Sequence, residues 1–517
     1  MPMTGSGRGG PHSRDTARGV ALTRRDLLLG SGAFLAAAGW PPVEGWEGTA
    51  AAPHPPAPER RPPQAAPDLT LRLARYMVEA GTRSLPPEAA LACRHRILDT
   101  LAAIVSGAPL APGQAAIRFV SAQGGTPEAS VLTTGIRTSA VNAALANGMF
   151  GHADETDDFE PVTKAHPGCA VVPAALAVAE RENRSGAELL RAVTLGYDLC
   201  CRLLLALGPD HVRATHRSAE GTSATFGAAA AAASLAGLDE RGMRHALSYA
   251  AQQVSGIWSW VRDAGHVEKA FDFGGMGARN GVAAALMVRS GFTGVDDVLD
   301  GEHNLLEAFS TRPDPEALVR GLGERFFVQE TAIKTFSVGY PIQAPLDALL
   351  TLRREHGFGP DQVRKILVRL PEDGARIVDD RAMPDVNVQY ILALALVDGT
   401  VTFADSHSSE RMEDPAVRAV RERVELVADP GLMDPEAPRS GFVEVTLSGG
   451  RTVSHFTRHP PGTRENPLDS EGVAAKAKSL MTPVLGAART EAVIERVAAL
   501  EEVAEVRELV GLLTLPR

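Results

Sequence analysis

The stretch Gly151-His152-Ala153-Asp154-Glu155-Thr156-Asp157-Asp158-Phe159-Glu160-Pro161-Val162-Thr163-Lys164-Ala165-His166-Pro167-Gly168 sets two histidines around five carboxylates. Alanine-rich apolar segments flank it, Ala140 to Met149 before and Ala170 to Ala179 after. Acidic loops that are only solvated seldom sit between two such core-forming stretches. Titratable groups carried into an apolar scaffold acquire shifted proton affinities, and such groups concentrate where chemistry happens.

Outward from this segment, the pattern from Asp68 to about Ala332 is helical. Pro86-Pro87-Glu88 starts a helix along which Leu91, Ile97, Leu98, Leu101, Ile104 and Val105 recur mostly at helical spacings up to Gly107. Thr225-Phe226-Gly227 precedes six alanines, Ala228 to Ala233, a composition that lets neighbouring helix backbones approach closely. After Lys334 the pattern changes. Lys365 to Leu370 and Phe442 to Leu447 are strand-like, and Ser448-Gly449-Gly450-Arg451 turns the second into Thr452 to Phe456, a β-hairpin. From Pro467 onward helical periodicity returns, with Leu480, Val484, Val493, Val497, Leu500, Val503, Val506 and Leu509 marking apolar faces. The expected fold is mainly α: a large all-helical domain (68–333), an inserted smaller α/β lid domain (334–465), and C-terminal helices (466–517) that return to the helical domain.

The chain has 517 residues, enough for two or three domains, and a net charge of −11, which leaves no general basic field for nucleic acid. An anionic substrate must therefore be held by local cations. Thr23-Arg24-Arg25-Asp26-Leu27-Leu28-Leu29 is a twin-arginine arrangement backed by an apolar run to about Gly39. That run falls short of the roughly 20 residues that span a bilayer and suits a signal peptide. Residues 1–52 are read as a twin-arginine signal and 53–67 as a proline-rich linker. The expected location is periplasmic or extracellular, with no stable membrane insertion after signal removal. Cys93, Cys169, Cys200 and Cys201 show no metal spacing and no disulfide framework, and are read as buried apolar residues.

Four clusters carry chemical potential: the opening segment; Thr215-His216-Arg217-Ser218-Ala219-Glu220; Glu268-Lys269-Ala270-Phe271-Asp272-Phe273-Gly274; and Lys334-Thr335-Phe336 to Tyr340-Pro341. Histidines near carboxylates suit proton transfer at neutral pH, and lysines balance the charge of a carboxylate and of the enediolate derived from it. The carboxylates orient these groups or stay protonated through mutual repulsion. His152, Asp157, Asp158 and His166 also form a conceivable metal set, but neither a His-x-x-x-His nor a His-Glu-x-x-His spacing is present. Gly275-Met276-Gly277 lacks the strand and spacing of a dinucleotide site.

His152-Ala153-x-Glu155-x-Asp157-Asp158 followed by His166-Pro167-Gly168 resembles the 2-methylcitrate dehydratase (MmgE/PrpD) family, which also holds cis-aconitate decarboxylase and iminodisuccinate epimerase. Leu85-Pro86-Pro87-Glu88, Ile97 to Leu101, Gly291 to Gly294, Lys334-Thr335-Phe336, Gln343 to Ala348 and Asn466-Pro467-Leu468 to Gly486 extend the resemblance over roughly Asp68 to Leu513. It implies a helical domain with an α/β lid, a homodimer, and a lyase that uses neither metal nor organic cofactor. The small carboxylate substrate would be of the 2-methylcitrate or cis-aconitate type. It also implies a site made of Glu155, Asp157, Asp158, His166, His216, Lys269 and Lys334. In that site His166 is the main acid/base, His216 its partner acid or a carboxylate ligand, and the two lysines bind anions. An epimerase on a dicarboxylate, or an exported inactive carboxylate-binding paralogue, shares the fold. Four departures mark this chain: Phe159 where many members have threonine, one extra residue before His166, Arg217 after His216, and Asp272 where histidine is frequent. Asp272 in particular is expected to weaken tricarboxylate binding.

Overall fold

The computed structural model describes residues 68–515; the twin-arginine segment and the linker lie outside the described residues. Helices dominate the first part of the chain. Those that frame the site are α1 (Pro87–Gly107), α2 (Ala140–Gly151), α3 (Gly168–Glu182), α4 (Gly186–Leu207), α5 (Ala219–Leu235) and α6 (Met276–Arg289). Polar caps fix where several begin. Ser139 accepts from Asn142 N ahead of α2, Ser185 and Glu188 form a reciprocal capping box on α4, and Ser218 accepts from Gly221 N on α5.

Small residues set how closely these helices pack. A Cβ on Gly227 of α5 would lie 2.6 Å from the carbonyl oxygen of Gly196 on α4. The two helices thus meet backbone to backbone, as the alanine run of α5 anticipates. Such contact excludes cavities and adds dispersion over the full length of the pair.

After Ile333 the chain builds a second core around α7 (Tyr340–His356) and α8 (Val388–Asp398). A four-stranded sheet completes it, made of β1 (Val363–Pro371), β2 (Val424–Asp429), β3 (Gly441–Leu447) and β4 (Thr452–Thr457) in the order β2-β1-β3-β4. β1 runs parallel to β2 and antiparallel to β3, with Val368 opposite Val443. β3 and β4 form the hairpin read from the sequence. Ile366, Val368 and Leu370 alternate onto the buried face of β1, together with Val443 and Val445 of β3. β2 is the strand the sequence did not announce: Val424-Glu425-Leu426-Val427-Ala428-Asp429 is half-exposed and interrupted by charge.

The C-terminal helices α9 (Ser470–Leu485), α10 (Ala487–Ala498) and α11 (Val506–Leu513) contribute Val473, Leu480, Val493, Val497, Val506 and Leu509 to the core of the helical part. α9 also reaches the site segment. Lys476, 8% exposed, pairs with Asp99 Oδ1 of α1 at 2.6 Å and donates to the Thr156 carbonyl at 2.9 Å.

Candidate active site

The segment between α2 and α3 is irregular yet buried from His152 to Glu160. Backbone carbonyls in such a place need partners. Two buried lysines supply them: Lys476 at Thr156, and Lys334, whose Nζ donates to the Glu155 carbonyl at 2.9 Å. The ammonium group of Lys334 also lies 3.4 Å from Asp157 Oδ1 and 3.5 Å from Glu155 Oε2. Lys334 is fully buried and absent from the cavity wall. Read from the sequence as an anion binder, Lys334 has its charge set against Glu155 and Asp157. Burial opposes that charge, but the two carboxylates hold the ammonium above its ordinary range.

Asp157 is the hub behind the wall. It accepts from His152 Nδ1 at 2.9 Å, and each of its oxygens lies 3.2 Å from His166 Nδ1. Burial alone would raise its carboxyl; His152, His166 and Lys334 hold it well below the usual range. An ionised acceptor at Nδ1 fixes the proton there, so neutral His166 keeps its lone pair on Nε2. Burial drives His166 down to about 4 against the opposing pull of Asp157, so the ring is a neutral base at pH 7.

Asp158 points elsewhere. It accepts from Gly168 N at 3.0 Å, at the start of α3, and from the Tyr197 hydroxyl at 2.6 Å. A Cβ on Gly168 would stand 2.5 Å from Thr100 Oγ1 and 2.8 Å from Asp158 Oδ1, so this junction tolerates only glycine. Asp158 therefore anchors α3 and does not reach the cavity. Burial, with Asp157 and Asp99 nearby, pushes its carboxyl up to about 7 despite the Tyr197 hydrogen bond.

A cavity of about 340 Å³ opens in front of His166, within the size range of small-molecule sites. Glu155 and Lys269 share one wall as an ion pair, with the Lys269 ammonium 5.2 Å from the Trp260 ring centre and 5.0 Å from that of Phe273. Burial would raise Glu155, but Lys269 and Lys334 hold it well below its usual value. Phe159 lines the cavity between His166 and Tyr340, with ring centres 5.1 and 4.3 Å away. Its backbone pairs with Ala332, which locks the segment to the approach to Lys334. Tyr340, at the start of α7, also lines the cavity, and its buried hydroxyl has no hydrogen-bond partner among the described residues.

His216 does not join this group. It is exposed, in a left-handed turn with φ 58°, and is absent from the cavity lining. The chain turns there so that Ser218 can cap α5, and the residues it brings to the cavity are Arg213, Ala219 and Glu220. Glu220 is 4% exposed; burial and the neighbouring Asp272 raise its carboxyl to about 8, so it is protonated at neutral pH. Asp272 sits in a π-helical turn, Phe271–Gly275, and receives the Ser218 hydroxyl. It does not line the cavity; what it does at the site is raise the carboxyl of Glu220, which does.

Among the cavity groups to which sequence reasoning gave no role are Glu220, Tyr340, Lys164, Arg213 and Arg439; His266, outside the lining but buried against His152, was missed as well. Its ring centre is 5.2 Å from that of His152, and Nε2 of both rings is buried without a hydrogen-bond partner among the described residues. His152, Glu155 and His266 bring potential ligand atoms within 4.8 Å of one another. A divalent ion there would have to compete with two ammonium groups already held by Glu155.

Comparison with known proteins places this geometry in a family. Residues 71–318 match the MmgE/PrpD N-terminal domain and residues 336–502 the MmgE/PrpD C-terminal domain. The chain is 25% identical to the cis-aconitate decarboxylase-like protein oryM of Aspergillus oryzae, over 86% of this chain and 97% of that protein. It is 24% identical to the cis-aconitate decarboxylase of Aspergillus terreus, over 87% and 96%. A mitochondrial 2-methylcitrate dehydratase of Yarrowia lipolytica matches at 27% over 27% of this chain and 30% of its own length. By name these relatives are a decarboxylase-like protein, a decarboxylase and a dehydratase. The chain belongs to the MmgE/PrpD family.

Proposed function

We propose that this protein is a lyase that eliminates water from a small carboxylate substrate of the 2-methylcitrate type, with His166 as base and Glu220 as acid. The observation that carries this reading is the opposite tuning of two groups on one cavity: His166 held neutral, Glu220 held protonated. Titratable pairs whose surroundings drive them apart mark acid and base roles. The substrate carboxylate lies against Lys269, whose ammonium takes up the charge of the enediolate. His166 Nε2 removes the α-proton, and the electron pair forms the carbon–carbon double bond as the carbon–oxygen bond breaks. The Glu220 carboxyl protonates the departing hydroxyl, so its proton leaves in the water formed; His166 then releases the α-proton and the Glu220 carboxylate takes one up, which resets both groups. The part expected of His216 passes to Glu220, four residues further on. Tyr340 offers its free hydroxyl to a substrate oxygen.

Decarboxylation is the second reading, and the names of the two relatives that span most of the chain favour it. It needs a proton donor and no base, so it leaves the neutral His166 without a task. A metal-free mechanism, a homodimer and export remain parts of the proposal. Proton NMR of the purified protein with hydroxy- and unsaturated tri- and dicarboxylates separates the readings. Loss of water from a hydroxycarboxylate supports the first, and carbon dioxide release without dehydration supports the second. Solvent exchange with inversion and no elimination would mark an epimerase, and silence across the panel an inactive binder.

A further inference from the structure

Apart from Lys269, the cavity wall holds three cationic side chains around one carboxylate. Arg439, 5% exposed, bonds both oxygens of Asp373 at 2.9 Å through Nη1, and its buried Nε has no partner among the described residues. Arg213 reaches the same carboxylate at 3.4 Å and stacks over Trp258 at 5.2 Å. Lys164 lines the cavity beside them, and no hydrogen bond or ion pair of its ammonium is found among the described residues. Asp373 cannot neutralise all three. The crowding shows in Lys164, which burial and the two arginines push down to about 7.

Lys164 is held there by its loop. Glu160 N donates to the Ala165 carbonyl at 2.8 Å, Lys164 N to the Glu160 carbonyl at 2.9 Å, and the Glu160 carboxylate takes the amides of Val162 and Thr163. This closed turn leaves Lys164 at φ 67°, a conformation that costs free energy for a residue with a side chain. The same cavity is also lined by apolar Phe159, Trp258, Phe273, Ile377 and Val386.

We propose that Lys164, Arg213 and Arg439 form a second anion subsite, and that the substrate carries a remote carboxylate joined to the reacting one by an apolar chain. The inference rests on the lyase reading for the reacting end only. The helical part contributes Lys164 and Arg213 and the lid Arg439, so a ligand at this subsite touches both.

Calorimetric titration of the whole protein with straight-chain α,ω-dicarboxylates (adipate to sebacate) and the matched monocarboxylates tests it. At least one dicarboxylate should bind about tenfold or more tightly than its monocarboxylate, one charge-assisted contact being worth that much. K164Q and R213Q should each erase that advantage and leave monocarboxylate affinity unchanged, whereas K269Q should weaken both ligands. Equal affinity for both ligand types in the wild type overturns the subsite, as does equal weakening of both by K164Q. If K269Q still weakens binding in that case, the reading of the reacting end survives. If no carboxylate binds the wild type, both fall.

Discussion

His166 Nδ1 stands 3.2 Å from both carboxylate oxygens of Asp157, which also accepts from His152 Nδ1 at 2.9 Å. One buried carboxylate thus sets the orientation and tautomer of the ring that faces the cavity. Replacing it by an amide of the same shape offers an NH2 where an acceptor is needed and favours the wrong tautomer. D157N should keep its fold and lose about 10²–10⁴-fold in kcat with little change in KM, comparable to other misoriented catalytic histidines. Steady-state kinetics beside near-UV circular dichroism checks both halves.

The pH profile follows from the same pair of assignments. His166 must be unprotonated, so kcat/KM should fall as pH drops through about 4. Glu220 must be protonated, so it should fall as pH rises through about 8. A broad plateau between these limits is expected, and E220Q should remove the basic limb along with most of the rate.

Lys334 is the group whose loss the fold should feel most. Its ammonium compensates Glu155 and Asp157 at once, and K334M would leave Glu155 to Lys269 alone and Asp157 with only its two histidines. A loss of about 3–5 kcal/mol is expected from breaking a buried pair on one side. Urea denaturation monitored by tryptophan fluorescence measures it. A shift below 1 kcal/mol would mean the pair contributes little.

His407 ties the lid to the site segment through Asp154 at 2.9 Å. Burial would lower its pKa, but Asp154 and then Asp385 raise it to about 9. A folded-state value above the unfolded one means the histidine's contribution is complete below about pH 6.5 and is lost as pH rises through about 9. The thermal midpoint should decline across that window in the wild type. In H407Q, which should cost about 2 kcal/mol at pH 6, that decline should flatten.

H216A is the variant on which sequence and geometry disagree. Its side chain is exposed and outside the cavity, so kcat/KM should stay within about twofold of wild type, as for surface substitutions generally. A loss of a hundredfold would show that the turn before α5 rearranges to bring the ring inward.

The broad plan was legible because its signals are local: alanine runs for close helices, Ser-Gly-Gly-Arg for the hairpin, a pattern break at Lys334 for the second core. β2 was not, because a half-exposed edge strand with Glu425 and Asp429 carries too little periodicity. Within the site, residue types that suit chemistry were visible and their directions were not. Asp157 and Asp158 are adjacent, yet one supports His166 and the other caps α3 through Gly168. Lys269 and Lys334 look alike in sequence, but only Lys269 reaches the cavity. Glu220 gained its role from burial and from Asp272, neither of which a single sequence displays.

The central claim is that His166 removes the α-proton and Glu220 expels the hydroxyl. Solvent-deuterium exchange at the α-carbon of a hydroxycarboxylate that the wild type dehydrates, followed by NMR beside product formation, separates the two steps. H166A should abolish exchange and elimination together, while E220Q should keep exchange and lose elimination. Exchange that persists in H166A would contradict the account.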